Sequence, residues 1–280
     1  MTYLVTGGAG SIGSEVVRRL VRDGESVRVM DINEEGLWAL KVELPDVDIR
    51  LGDVTRREDC VSAASNVSAV IHCAAVKHVD LCEAHPMVAW RVNAEGARNM
   101  REVSDARFVL LSTDKAIYPA SVMGRTKAAA EAQVIKSGGN VVRFGNVIGT
   151  RGSLVPSILR YRAAGRPLRM TNPAMTRFWM TVDEAVDLIL TAARNESCGR
   201  TFSPQHLRSS TIGDFIEVCR DMLEPGYPIE RVPTRGGERL HEFMEFRGGF
   251  AQSDDPRFLM DRAAIEQFIA DSGVLAGVTA

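Results

Sequence analysis

Short apolar runs alternate with amphipathic stretches along the first half of the chain. Tyr3 to Thr6 is an apolar run that enters a glycine-rich turn, after which Val16, Val17, Leu20 and Val21 recur at helical spacing over Glu15 to Arg22. The same order repeats as a strand at Ser26 to Met30, a helix at Glu34 to Leu44, a strand at Val47 to Leu51, a helix at Arg57 to Ala64 and a strand at Ala69 to His72. A long helix from Pro86 to Val103, with Trp90, Val92 and Met100 turned to the core, then leads to a strand at Arg107 to Leu111. Strands alternating with helices predict an α/β fold: a doubly wound parallel sheet with helices on both faces and right-handed crossovers.

After a further strand at Gly139 to Phe144 the alternation gives way to mixed elements. A helix is expected at Val155 to Ala164, a short strand at Leu168 to Thr171, and helices at Asp183 to Asn195 and Ile212 to Leu223. From Asp254 onward Phe258, Leu259, Ile265 and Phe268 fall at helical spacing and predict a packing helix. The change of pattern divides the chain into residues 1–145, the domain of the alternating sheet, and residues 146–280, mainly a smaller lobe partly interleaved with that sheet.

Composition narrows the classes. In 280 residues, 34 Lys and Arg face 36 Asp and Glu, a formal charge of -2, so no global field attracts nucleic acid or an anionic membrane. Five cysteines, Cys60, Cys73, Cys82, Cys198 and Cys219, are scattered without a CxxC pair, which argues against a disulfide framework and against a metal site. Nor is there a leader-like segment or a run of about eighteen apolar residues, the length that crosses a bilayer. A cytoplasmic protein with no membrane span is the expectation.

The turn after the first strand reads Gly7-Gly8-Ala9-Gly10-Ser11-Ile12-Gly13. Strand, glycine turn and helix is the setting of a phosphate-binding loop: Gly7 allows the tight turn, Gly10 close approach of a pyrophosphate, and Gly13 helix packing on the strand. The helix N-terminus then offers free N–H groups and a positive dipole end to the phosphates, with Ser11 and Ile12 of the turn as cofactor contacts. Asp31 ends the next strand at about the twenty-residue distance expected of a ribose-binding carboxylate, which would repel a 2′-phosphate and so predicts NAD over NADP. A helix-capping aspartate ahead of Glu34 and Glu35 is the plain alternative. Asp53 with Val54, and the pair Ala74-Ala75, fall at later strand ends. They suit an adenine amino group and the close passage of a flat ring, or simply a turn and a packed alanine pair. Lys77 and His78 follow in a loop.

The remaining chemistry gathers at Ser112-Thr113-Asp114-Lys115-Ala116-Ile117-Tyr118-Pro119 and Val122-Met123-Gly124-Arg125-Thr126-Lys127. Asp114 and Lys115 are neighbours, and both can serve one site only if the strand ends and the backbone turns. With the glycine loop, Asp31, Asp53 and the alanine pair, this order resembles an extended short-chain dehydrogenase/reductase. The finer resemblance is to the bacterial UDP-N-acetylglucosamine 4,6-dehydratases of polysaccharide biosynthesis. The words that carry it are Ala74 to Val79, Asn93-Ala94-Glu95-Gly96, Ser112 to Ala116, Val122 to Lys127, Val142 to Val147, Met175-Thr176-Arg177-Phe178 and Gly237-Glu238-Arg239-Leu240-His241-Glu242.

The resemblance implies a Rossmann fold, NAD, a UDP-sugar substrate and a homo-oligomer. It also implies a reaction in which C4 of the sugar is oxidised, water is eliminated across C5 and C6, and hydride returns to C6. By the same resemblance Lys115 is the C5 base, Asp114 the C6 acid and Lys127 the residue against the nicotinamide ribose. Lys77, Asn146, Arg151, Arg177 and Glu238 are the substrate contacts it suggests. The family usually has tyrosine where Met123 stands, a side chain unable to do acid/base work. The proton of the C4 hydroxyl then passes to Thr113, to a water, or to Lys127 through the ribose. A UDP-sugar 4-epimerase and a non-catalytic dinucleotide-binding module are the competing readings.

Overall fold

The computed structural model describes residues 1–234 and 236–276. The chain divides into two compact units, Met1–Arg143 with Asp183–Ser203, and Phe144–Val182 with Pro204–Ala280.

The first unit is built on β1 (Thr2–Thr6), α1 (Ser11–Arg22), β2 (Ser26–Asp31), α2 (Glu34–Glu43), β3 (Asp48–Leu51), α3 (Arg57–Ala64) and β4 (Ala69–His72). It continues through α4 (Val79–Ala84), α5 (Pro86–Ala89), α6 (Gly96–Glu102), β5 (Arg107–Leu111), α7 (Val122–Lys136) and β6 (Asn140–Val142). Seven strands lie side by side in the order Thr201–Phe202, β6, β5, β4, β1, β2, β3, every neighbouring pair parallel. Strands buried on both faces explain the unbroken apolar runs: Leu4, Val70, Phe108, Leu110 and Val141 share one core cluster with Met100, Ala130 and Val134 from the helices. The order reverses between β1 and β4, and in such sheets ligands bind past the strand ends at that reversal.

Three expectations for this unit need correction. The first helix begins at Ser11, not Glu15, so the last residues of the glycine turn are already helical. The stretch from Pro86 to Val103 is not one regular helix: Trp90–Glu95 is a π-helical segment between α5 and α6. The wider turn changes the helix phase, and Trp90 is 38% exposed instead of lying in the core.

In the second unit Thr176–Met180 is the middle strand of a three-stranded sheet, parallel to Asn146–Val147 and antiparallel to Ser209–Thr211. Its core stacks Trp179 on Phe215, centroids 4.0 Å apart, with Ile265, Phe268 and Ile269 in the same cluster. The terminal helix covers only Arg262–Asp271, opened by Asp261, whose side chain accepts from the Ala264 N–H. Phe258 and Leu259 precede that helix. Phe258 meets Phe178 and Phe246 edge-on, and Leu259 forms a β-bridge with Ser209, so their helical spacing was incidental.

Candidate active site

The glycine loop closes tightly on its neighbours. Gly7 has φ +65°, and a Cβ there would lie 2.6 Å from the Ala74 nitrogen; a Cβ on Gly13 would run into the Gly7 carbonyl oxygen. Glycine at both positions is what lets β1, the start of α1 and the loop after β4 meet. Helix α1 follows Gly10, an N-cap with no side chain to bond the first turn, and a helix N-terminus is the usual seat of an anion. Asp31 accepts from the Ala9 N–H through Oδ2 and from the Asn33 N–H through Oδ1, both at 2.9 Å, which fixes the carboxylate at the loop. Asn33, not Asp31, caps α2, so the capping alternative for Asp31 does not hold. Asp53 is held as a turn residue: its N–H donates to Asp59 and its Oδ1 accepts from the Thr55 N–H, while Val54 is buried beside it.

Past β5 the backbone turns at once. Thr113 caps a single 3₁₀ turn, Asp114–Ala116, and its hydroxyl accepts from the Lys115 N–H. The same hydroxyl donates to Asp114 Oδ1 at 2.8 Å, and Lys115 Nζ donates to that oxygen at 3.0 Å. Asp114 is fully buried, and its Oδ2 has no hydrogen-bond partner among the described residues. The turn therefore brings acid, amine and hydroxyl to one point, as the strand-end argument requires.

Helix α7 is docked against this turn by a device the sequence reading did not isolate. A Cβ on Gly124 would overlap the Lys115 carbonyl oxygen and lie 3.2 Å from Pro119 Cβ. Ser121 Oγ accepts from the Gly124 N–H, and Glu83 Oε1 accepts from the Val122 N–H, so the first turn of α7 is capped twice. Asn93, inside the π segment and fully buried, binds both the N–H and the C=O of Val76 and donates to Thr126 Oγ1. It ties the Ala74-Ala75 loop to the lysine helix. The sequence signals were a polar residue inside a helical stretch and its place in the word Asn93-Ala94-Glu95-Gly96.

Lys127 is buried, and its Nζ donates to the Leu111 carbonyl at 2.7 Å. Burial pushes its ammonium down to about 8. Burial also holds His72 down to about 3, with Lys127 adding to the effect, and pushes the Cys73 thiol up to about 12. Met123 is buried in a cluster with Cys82, Ala89 and Val122.

Lys77 lies exposed in the loop after β4. Asn146, Arg151, Arg177 and Glu238 all belong to the second unit. Arg177 is buried there; its guanidinium donates to the carbonyls of Thr176 at 2.7 Å and Leu240 at 3.3 Å, and its Nε lies 3.9 Å from Glu242. Asn146 pairs with Trp179 in the short sheet, Arg151 lies exposed in a turn, and Glu238 is half-buried ahead of Leu240.

A seven-stranded parallel sheet with a glycine loop at its topological switch defines a Rossmann-like α/β fold. Pen from Bacillus thuringiensis has this fold, with TM-score 0.92 and 24% identity over 98% of both chains. So does the dTDP-glucose 4,6-dehydratase DesIV of Streptomyces venezuelae, at TM-score 0.80 and 20% identity over 98% of both. Residues 3–260 match the family described as polysaccharide biosynthesis protein, and the chain belongs to that family. Its relatives include an uncharacterized membrane protein of Methanocaldococcus jannaschii, 40% identical over 86% of this chain and 79% of that protein. A UDP-glucose 4-epimerase of Rickettsia conorii is 33% identical over 91% of this chain and 81% of the epimerase. Among the described residues no helix is long and apolar enough to cross a membrane, and no His, Cys, Asp and Glu cluster could hold a metal ion.

Proposed function

We propose that the protein is an NAD-dependent dehydratase of a UDP-N-acetylhexosamine, with UDP-N-acetylglucosamine as the first substrate to try. The observation that carries this reading is the Thr113-Asp114-Lys115 turn, with an amine 3.0 Å from one oxygen of a buried carboxylate whose other oxygen is enclosed without a partner. The chain's residues fit the cofactor: Gly7 and Gly13 leave space a Cβ would fill, the uncapped start of α1 suits the pyrophosphate, and Asp31 suits a ribose diol. Asp53 and Val54 would take the adenine, and Ala74 and Ala75 would let the flat ring pass. Bound NAD supplies reversible hydride transfer, so the sugar can be carried as a ketone whose neighbouring C–H is acidic.

Lys115 takes the C5 proton in this scheme, and Asp114 gives a proton to the C6 hydroxyl as it leaves as water. Both need the neutral form first. One proton passed from Lys115 Nζ to Asp114 Oδ1 along their 3.0 Å contact converts the ion pair into that neutral pair. Thr113, beside Asp114, is assigned as a relay for the proton of the C4 hydroxyl, taking it as its own hydroxyl proton passes on to water, and Lys127 orients the nicotinamide ribose. Lys77, Asn146, Arg151, Arg177 and Glu238 are assigned to the UDP-sugar.

A 4-epimerase is the second reading, favoured by the rickettsial relatives of that name. It has no use for the Asp114-Lys115 pair, and its usual acid/base position holds Met123, packed among apolar side chains. Asp114→Asn and Lys115→Met test the choice. Each is expected to slow water loss by about 10²–10⁴-fold, the worth of one positioned acid or base, with nucleotide-sugar affinity retained by calorimetry. Elimination at the wild-type rate in either variant contradicts the assignment.

A further inference from the structure

Three non-glycine residues among those described have positive φ: Asn66 at 58°, Tyr118 at 49° and Arg247 at 49°. Two have local reasons. Asn66 is a residue type that tolerates the left-handed region, and Arg247 with Gly248 closes the hairpin between Phe243–Phe246 and Gly249–Gln252, a turn that requires this conformation. Tyr118 has neither reason. A bulky side chain there is a steric outlier, and such strain persists where the surrounding structure imposes it.

What imposes it is visible on both sides. Before Tyr118, the 3₁₀ turn ends with the Ile117 N–H donating to the Asp114 carbonyl, and Ile117 is buried. After it, Pro119 lies against Gly124, and Ser121 caps α7. The strained residue is nevertheless not part of a core: Tyr118 is 57% exposed. The strain therefore leaves an aromatic residue more than half exposed three residues past Lys115.

We propose that Tyr118 is a substrate-contacting residue whose ring packs on the apolar face of the hexosyl group being dehydrated. This rests on the dehydratase reading above. The hexose, not the nucleotide, is the part within reach, because Tyr118 is separated from the Asp114-Lys115 pair by only one tight turn. The contact is one of ring face and C–H bonds; the hydroxyl carries no proton in the reaction.

Three measurements on the full chain decide it. Tyr118→Asn keeps a residue suited to the left-handed conformation and removes the ring. We expect a melting temperature at or above wild type, a KM for the UDP-sugar raised about tenfold, in the range of a lost pocket contact, and an unchanged inhibition constant for UDP, which lacks the hexose. Tyr118→Phe should keep both kcat and KM near wild type. A lower melting temperature with unchanged KM in Tyr118→Asn makes the residue structural and overturns the proposal. So does equal weakening of UDP, which moves the contact to the nucleotide or the fold, or a kcat loss in Tyr118→Phe, which makes the phenol a proton carrier. If the wild type transforms no nucleotide sugar, the dehydratase reading fails first and this inference with it.

Discussion

Lys127 shows how one residue reports on its surroundings. Its pKa in the folded chain, about 8, lies below the 10.5 of an exposed lysine because burial disfavours the ammonium. Between those values the unfolded chain holds a proton that the folded chain has released, so stability rises with pH across that window and the full cost of the buried charge is felt below pH 8. The group should contribute a gain of about 3 kcal/mol from pH 8 to 10.5. Urea unfolding at several pH values should show that rise in wild type and its loss in Lys127→Met, which should also fail to bind NAD. An identical pH dependence in the two proteins would mean that Lys127 is not buried as described. Part of the local structure was readable in advance: the glycine turn meets the carboxylate of Asp31 at the end of β2, and Lys127 lies on a helix. The internal bonds of Arg177 were not, because sequence shows that a guanidinium is present and not which carbonyls satisfy it.

At the scale of elements, the packing of α7 on the Asp114–Ala116 turn decides whether acid, amine and lysine share one site. Gly124 is the point of closest approach. Replacing it by alanine drives a methyl into the Lys115 carbonyl, a backbone atom that yields only if the turn shifts. Gly124→Ala should cost about 1–3 kcal/mol, the range for overpacking a tight contact, and should reduce turnover further than thermal melting alone explains. Normal turnover would show that the turn tolerates the displacement. The elements of the first unit were legible because strands buried on both faces must be apolar without interruption. In the second unit the helices Leu154–Ala163 and Ile212–Leu223 and the strand Leu168–Met170 stand where the pattern put them, and the other short strands were not legible. Strands as short as Asn146–Val147 carry no period to read, and Phe258 mimicked a helical position while packing on Phe178 and Phe246; in the first unit Trp90 was shifted by a π turn that leaves no compositional trace.

At the scale of the whole molecule, family membership and the sheet with its glycine loop are common to enzymes with different outcomes, and the site must separate them. Epimerases and dehydratases both appear among the chain's relatives and fold neighbours. Under the proposed reading, the buried Asp114 with Lys115 beside it, together with Met123 in an apolar cluster, selects elimination over C4 epimerisation. The most direct test is the mass of the nucleotide sugar after incubation of UDP-N-acetylglucosamine with the protein and NAD. Loss of one water is the result expected here; an isomer of unchanged mass would contradict it.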